Sequence, residues 1–162
     1  TTEDIIRKTL GHLVYGEEDD EVEDAAAKAL LAASARLATV EAGTAGRVAA
    51  LFAQAAHRRN ATSQQFFCGG LVLPGLPAET SKLIAAAKDV ASSHNASVGM
   101  AVGPVRPSGV RHAVDIVVVN NGTPIVTEHI LGGGGIAMSR AAKSAIDQIR
   151  RILLSHKKKC SE

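Results

Sequence analysis

Aromatic side chains are nearly missing from this chain: of 162 residues one is Tyr, three are Phe and none is Trp. Ala, Val, Leu and Ile must therefore fill any core, and few rings remain to stack on single-stranded nucleic acid. Cysteine is scarce too. Cys68 and Cys160 sit in no CxxC pattern, and no His/Cys spacing suggests zinc. A bridge from Cys160, in an expected tail, to Cys68 is not expected, so the chain reads as reduced and cytoplasmic. His12, His94 and His129 show no i, i+4 pairing, and neither a metal nor a cofactor is expected. No apolar run approaches the roughly 20 residues that a membrane helix needs. Nothing at the start reads as a signal peptide, and Thr1 in place of Met suggests an excised piece. Net charge is +2, with one cluster, His156-Lys157-Lys158-Lys159, read as a solvated tail. Nucleic acid and membrane are therefore not expected partners.

What is present suits a globular domain: 46% hydrophobic and 21% charged residues, in a chain long enough for one core. Residues 1–21 read as a short helix, Thr1 to Leu13 with Thr2 as N-cap, followed by an acidic linker at Glu17 to Glu21. This is the candidate end of a preceding domain. Val22 to Arg36 reads as an Ala- and Leu-rich helix, then Leu37 to Val40 as a strand. Glu41-Ala42-Gly43-Thr44-Ala45-Gly46 is a small-residue turn, and Arg47 to His57 a helix with Val48, Leu51, Phe52 and Ala55 on one face. Backbone N–H groups gathered at such a helix start suit an anion.

Downstream, Phe66 to Leu73 reads as a strand broken by Gly69-Gly70. A loop at Pro74 to Pro77 leads into a helix over Ala78 to Asn95. Strands follow at Ala96 to Val102, Ala113 to Asn120 and Thr123 to Leu131. A Pro/Gly/Arg loop at Val105 to Arg111 precedes the second of these, and an Asn120-Asn121-Gly122 turn joins it to the third. Gly132 to Gly135 lacks the Lys-Ser/Thr of a phosphate loop and reads as a mobile loop. Ile136 to Ser155 is the last helix and 156–162 the basic tail. Strands alternating with helices and closing on a hairpin predict an α/β fold: a three-layer α/β/α sandwich on a mixed, mostly parallel sheet of about five strands.

Three segments carry a family resemblance. Leu37-Ala38-Thr39-Val40-Glu41-Ala42-Gly43-Thr44-Ala45-Gly46 resembles the strand-then-turn motif A-E-S-C-T-G-G of the CinA C-terminal domain, from the competence/damage-inducible proteins. Phe67-Cys68-Gly69-Gly70-Leu71-Val72 is similar to that family's F-x-G-G-V-V, and Val98 to Pro104 to its I-T-G-I-A-G-P. Arg140 falls where the family has an Arg-rich helix start. The likeness spans roughly 22–154. Ile5 to Gly16 with the acidic stretch also resembles the junction of full-length CinA, where a linker domain follows one similar to molybdopterin-biosynthesis proteins.

The resemblance implies a nicotinamide-nucleotide amidase that works without metal. Such an enzyme converts nicotinamide mononucleotide to nicotinic acid mononucleotide and ammonia. It also implies a homo-oligomer with a nucleotide-sized cleft near Glu41, Ala42, Gly43, Thr44, Gly46, Gly69, Gly70, Gly103, Pro104 and Arg140. Several positions depart from the pattern. The family's attacking Ser falls at Ala42, the next Cys at Gly43, the helper Tyr at Pro74, a Thr at Gly99 and a late Arg near Ile136. Thr44 keeps a hydroxyl, as a substitute nucleophile or as a helix cap, and Lys82 is the nearest Lys, as its helper or as a solvent-facing side chain. Backbone-shaping glycines retained while chemistry is removed point to a catalytically impaired domain. The alternatives are an active amidase using Thr44 and Lys82, or a dimerisation module of a larger CinA protein.

Other groups remain open. Asp115, inside an apolar strand, is either paired at the sheet edge or part of a site. Arg106, Arg111 and Arg140 are either phosphate receptors or plain surface arginines. His57-Arg58-Arg59 are cations suited to a helix C-terminus.

Overall fold

The computed structural model describes residues 21–58, 66–132 and 136–161, with 156–161 as backbone alone. The expected helix at 1–13, most of the acidic linker and glycines 133–135 lie outside the described residues. Helix α1 spans Val22–Ala32. The sequence suggested a longer helix, but Ser34 takes a left-handed φ of 51°. Ala35 N–H then donates to the Leu30 carbonyl at 2.9 Å, a closure that ends the helix. Strand β1 is Leu37–Glu41, buried along its whole length. Helix α2 is Arg47–Arg58 and strand β2 is Phe67–Val72. Helix α3 is Thr80–Ser93, stopped by Asn95 at φ 54°. Strand β3 is Val98–Val102 and β5 is Arg111–Asn120, paired to β6 at Thr123–Leu131.

Two expectations change. The loop before β5 contains a short strand, β4, at Arg106–Ser108, which pairs antiparallel with the start of β5. The last helix, α4, runs Ala137–Ser161, continuing through the lysine run expected as tail.

Among the described residues the sheet has six strands. β1 lies between β2 and β3, parallel to both; β3 and β4 share one side of β5, and β6 takes the other. All three neighbours of β5 are antiparallel to it, so five strands point one way and β5 alone is reversed. The chain steps from β1 outward to β2 through α2, then back past β1 to β3 through α3. Two right-handed crossovers in opposite directions place their helices on opposite faces, which makes the third layer.

On one face α1, α2 and α4 cover Leu37, Met100, Ile116 and Val118; on the other α3 packs Leu83, Ala87 and Val90 on Ala38, Val40, Ala101 and Val117. All three Phe residues meet on the first face: the Phe52 ring lies 6.0 Å from Phe66 and 5.7 Å from Phe67. At Gly99 a Cβ would collide with the Ala87 carbonyl and come within 2.9 Å of the Ala91 methyl, so α3 rests directly on the strand.

Candidate functional site

In an open α/β sheet, ligands gather beyond the carboxyl ends of the strands, where successive crossovers diverge. Here that point lies at the end of β1, which is the Glu41–Gly46 turn. Gly43 N–H donates to the Gly103 carbonyl and Ala42 N–H to the Val102 carbonyl, both at 3.1 Å. The turn is thereby tied to the end of β3. A Cβ at Gly43 would run into that Gly103 carbonyl, so the two backbones meet closely only because glycine stands there. Ala45 and Gly46, at φ 52° and 87°, swing the chain into α2.

Glu41 is fully buried. Its Oε1 accepts from the Thr44 hydroxyl at 2.5 Å and from Val48 N–H at 2.9 Å, and Oε2 accepts from Ala49 N–H at 3.1 Å. The anion expected at this helix start is therefore the chain's own carboxylate. Thr44 is buried as well, and its hydroxyl is given to Glu41.

The other expected site residues divide into groups. Gly103 and Pro104 adjoin the turn, with Gly103 N–H donating to the Asp115 carbonyl at 2.9 Å. Gly69 and Gly70 lie further back in β2. Gly69, at φ 113°, adjoins a bulge between β1 and β2, with the His94 ring against it. Gly70 leaves room for the Thr39 carbonyl and hydroxyl of the neighbouring strand. Lys82 lies exposed on α3, 3.8 Å from Glu79. Arg140 stands on α4 against Gly132, where a Cβ would come 2.7 Å from its Nη1. Around it Ile130, Leu131, Gly132, Ser139, Lys143 and Ser144 form a cleft of about 320 Å³. β6 runs in the same sense as β1, so this cleft opens at the same end of the sheet as the turn. Arg47 Nη1 reaches the Met138 sulfur at 3.2 Å and links the starts of α2 and α4 there.

Asp115 proves to be paired: Arg106 donates to it at 2.9 and 3.3 Å and to Glu128 as well, so two carboxylates occupy that guanidinium. Arg58 likewise binds Asp24 at 2.8 Å and Glu23 at 3.1 Å. Glu23 also takes Lys143 at 2.8 Å. Burial alone would push Glu23 up; Lys143 and Arg58 overcome it and hold its carboxyl below the usual glutamate range. This ionic knot, its carboxylates buried and its cations partly exposed, joins α1, α2 and α4. The sequence hid it, because Glu23 and Asp24 look like ordinary first-turn acids and their partners stand 34 to 120 residues away.

Among the described residues two buried polar atoms, Thr39 Oγ1 and His112 Nδ1, have no hydrogen-bond partner. Burial and the nearby Arg151 guanidinium lower the His129 pKa, with Asp147 opposing. Among the described residues no group of three His, Cys, Asp or Glu could hold a metal ion, and no helix is long and apolar enough to cross a membrane.

No family model and no curated protein matches the chain. Solved structures do. A CinA superfamily protein from Klebsiella pneumoniae is similar with TM-score 0.68 and 16% identity, over 83% of this chain and 96% of that one. One from Enterobacter cloacae gives 0.63 and 15%, over 88% and 96%. The competence/damage-inducible protein CihA from Agrobacterium tumefaciens gives 0.56 and 14%, over 86% and 98%. The fold of this chain is the fold of the CinA superfamily, the one its three motifs resemble.

Proposed function

We propose that this chain is a CinA-fold domain that binds a pyridine nucleotide or related nucleotide without hydrolysing its amide by the family's serine route. The observation that carries this reading is the hydroxyl inventory of the β1–α2 turn. Ala42 offers a methyl group where the family motif has Ser. The one hydroxyl left, on Thr44, is buried and spent on Glu41. Two backbone N–H groups already hold that carboxylate, so its oxygens are committed to capping α2. A nucleophile needs a positioned base and access to its substrate; Thr44 lacks the access. Lys82, the other candidate, stands solvent-exposed beside Glu79.

Binding rests on the cleft beside Arg140, which opens at the same end of the sheet as the turn. Its volume of about 320 Å³ suits a small ligand. A guanidinium there can hold a phosphate through paired, charge-assisted bonds.

The test is incubation of the purified chain with nicotinamide mononucleotide, following ammonia release and thermal stability together. The expected outcome is no ammonia above the blank and a ligand-dependent rise in Tm that Arg140→Ala removes. Turnover abolished by Thr44→Ala would overturn the reading in favour of an active amidase. A flat Tm with concentration-dependent dimerisation would favour the assembly role.

A further inference from the structure

We propose that the open edge of β6, with the trough between β6 and α4, takes an extended acidic peptide as a further strand of the sheet. The site lies toward the start of β6, at the end opposite the β1–α2 turn, and does not depend on nucleotide binding.

The edge follows from the hairpin. Asn121 and Gly122 occupy a two-residue turn with φ of 50° and 86°, and Asn120 faces Thr123 across it. That closing pair exchanges hydrogen bonds, and bonded and non-bonded pairs alternate from there. Val119–Pro124, Val117–Val126, Asp115–Glu128 and Ala113–Ile130 are the non-bonded pairs. The main-chain N–H and C=O of Val126, Glu128 and Ile130 thus point away from β5. Pro124 obeys the same count, since its ring falls where no N–H is owed to β5. Among the described residues no strand pairs with this side of β6.

The trough lies on the α4 face. Thr123 and Ile125 stand opposite Gln148, Arg151, Ile152 and Ser155, a stripe of α4 at i, i+3, i+4 and i+7. With Asn120 and Asn121 they line a cleft of about 450 Å³. Among the described residues its lining holds one charged side chain, Arg151, and no carboxylate. Asp147 takes Arg151 Nε at 2.7 Å and Arg150 at 2.8 Å. Arg151 stays 49% exposed, so the charge it brings to the trough is positive and open to solvent.

A strand added to this edge sends alternate side chains toward the trough, where Arg151 favours a carboxylate. A second copy of β6 fits less well. Two-fold antiparallel pairing about Glu128 would set two glutamates side by side.

The test uses the full chain and a labelled eight-residue peptide alternating Thr and Glu, with its Thr/Lys counterpart, followed by fluorescence anisotropy. Val126→Pro removes one outward donor and no bond to β5; Ile130→Pro is the second variant should the first not fold by circular dichroism. The Glu peptide is expected to bind, to weaken by about tenfold or more in the folded proline variant, and to exchange preference with the Lys peptide in Arg151→Glu. Equal binding of both peptides, no binding up to about 1 mM, or unchanged binding in a folded proline variant overturns the proposal. So does a wild-type dimer that the proline variant dissociates, because a second copy then occupies the edge.

Discussion

A carboxylate without solvent contact is costly unless donors surround it. Glu41 meets that demand with one hydroxyl and two N–H groups, and in return satisfies two of the orphan donors of α2. Glu41→Gln replaces an acceptor-only group by one that brings two donors of its own, so it is expected to destabilise the domain by about 2–4 kcal/mol. Thr44→Ala, which removes one of three donors, is expected to cost about 1–2 kcal/mol. Urea unfolding midpoints check both; an unchanged midpoint in Glu41→Gln would refute the capping role. The sequence singled out Glu41 through its motif but could not tell what it binds. Every residue of β1 is buried, so alternation gives no hint of which way the side chain faces. Its backbone partners come from a helix seven and eight residues on.

Elements were legible where local chemistry sets them. The Asn-Gly hairpin, β6 and the start of α2 stand at the residues that their turn and helix signals mark. Ends set by a left-handed non-glycine residue were not: Ser34 and Asn95 close α1 and α3 earlier than apolar spacing suggests. β4 escaped because Pro107 sits in its three residues and proline argues against a strand except at an edge. Gly99 illustrates what spacing cannot show. It reads as a weak strand residue, yet α3 lies on it without an intervening side chain. Gly99→Ala should force α3 outward and cost about 1–3 kcal/mol or more. Calorimetry should show Tm falling by about 2–4 °C per kcal/mol. A Tm equal to wild type would mean that α3 is not seated as described.

Across the whole molecule, the layer order followed from the alternation of strands and helices, while the contacts that bind the layers did not, because they join residues far apart in the chain. Two such groups give stability a pH dependence of one sign. The unfolded chain protonates His129 near its ordinary 6.5, whereas the folded chain resists, so stability falls as pH drops below 6.5 toward the lowered native value. Glu23, held below its ordinary 4.5 in the fold, contributes fully above that pH and less as pH falls through its native value. Tm against pH should therefore decline in two stages. His129→Asn should remove the first and spare the second; an unaltered upper stage would assign it elsewhere. The buried carboxylate of Glu41 also has a consequence for any visitor. If the domain binds a nucleotide as proposed, the first-turn N–H groups of α2 are already committed to Glu41, and the guanidinium at the head of α4 is left to receive the phosphate.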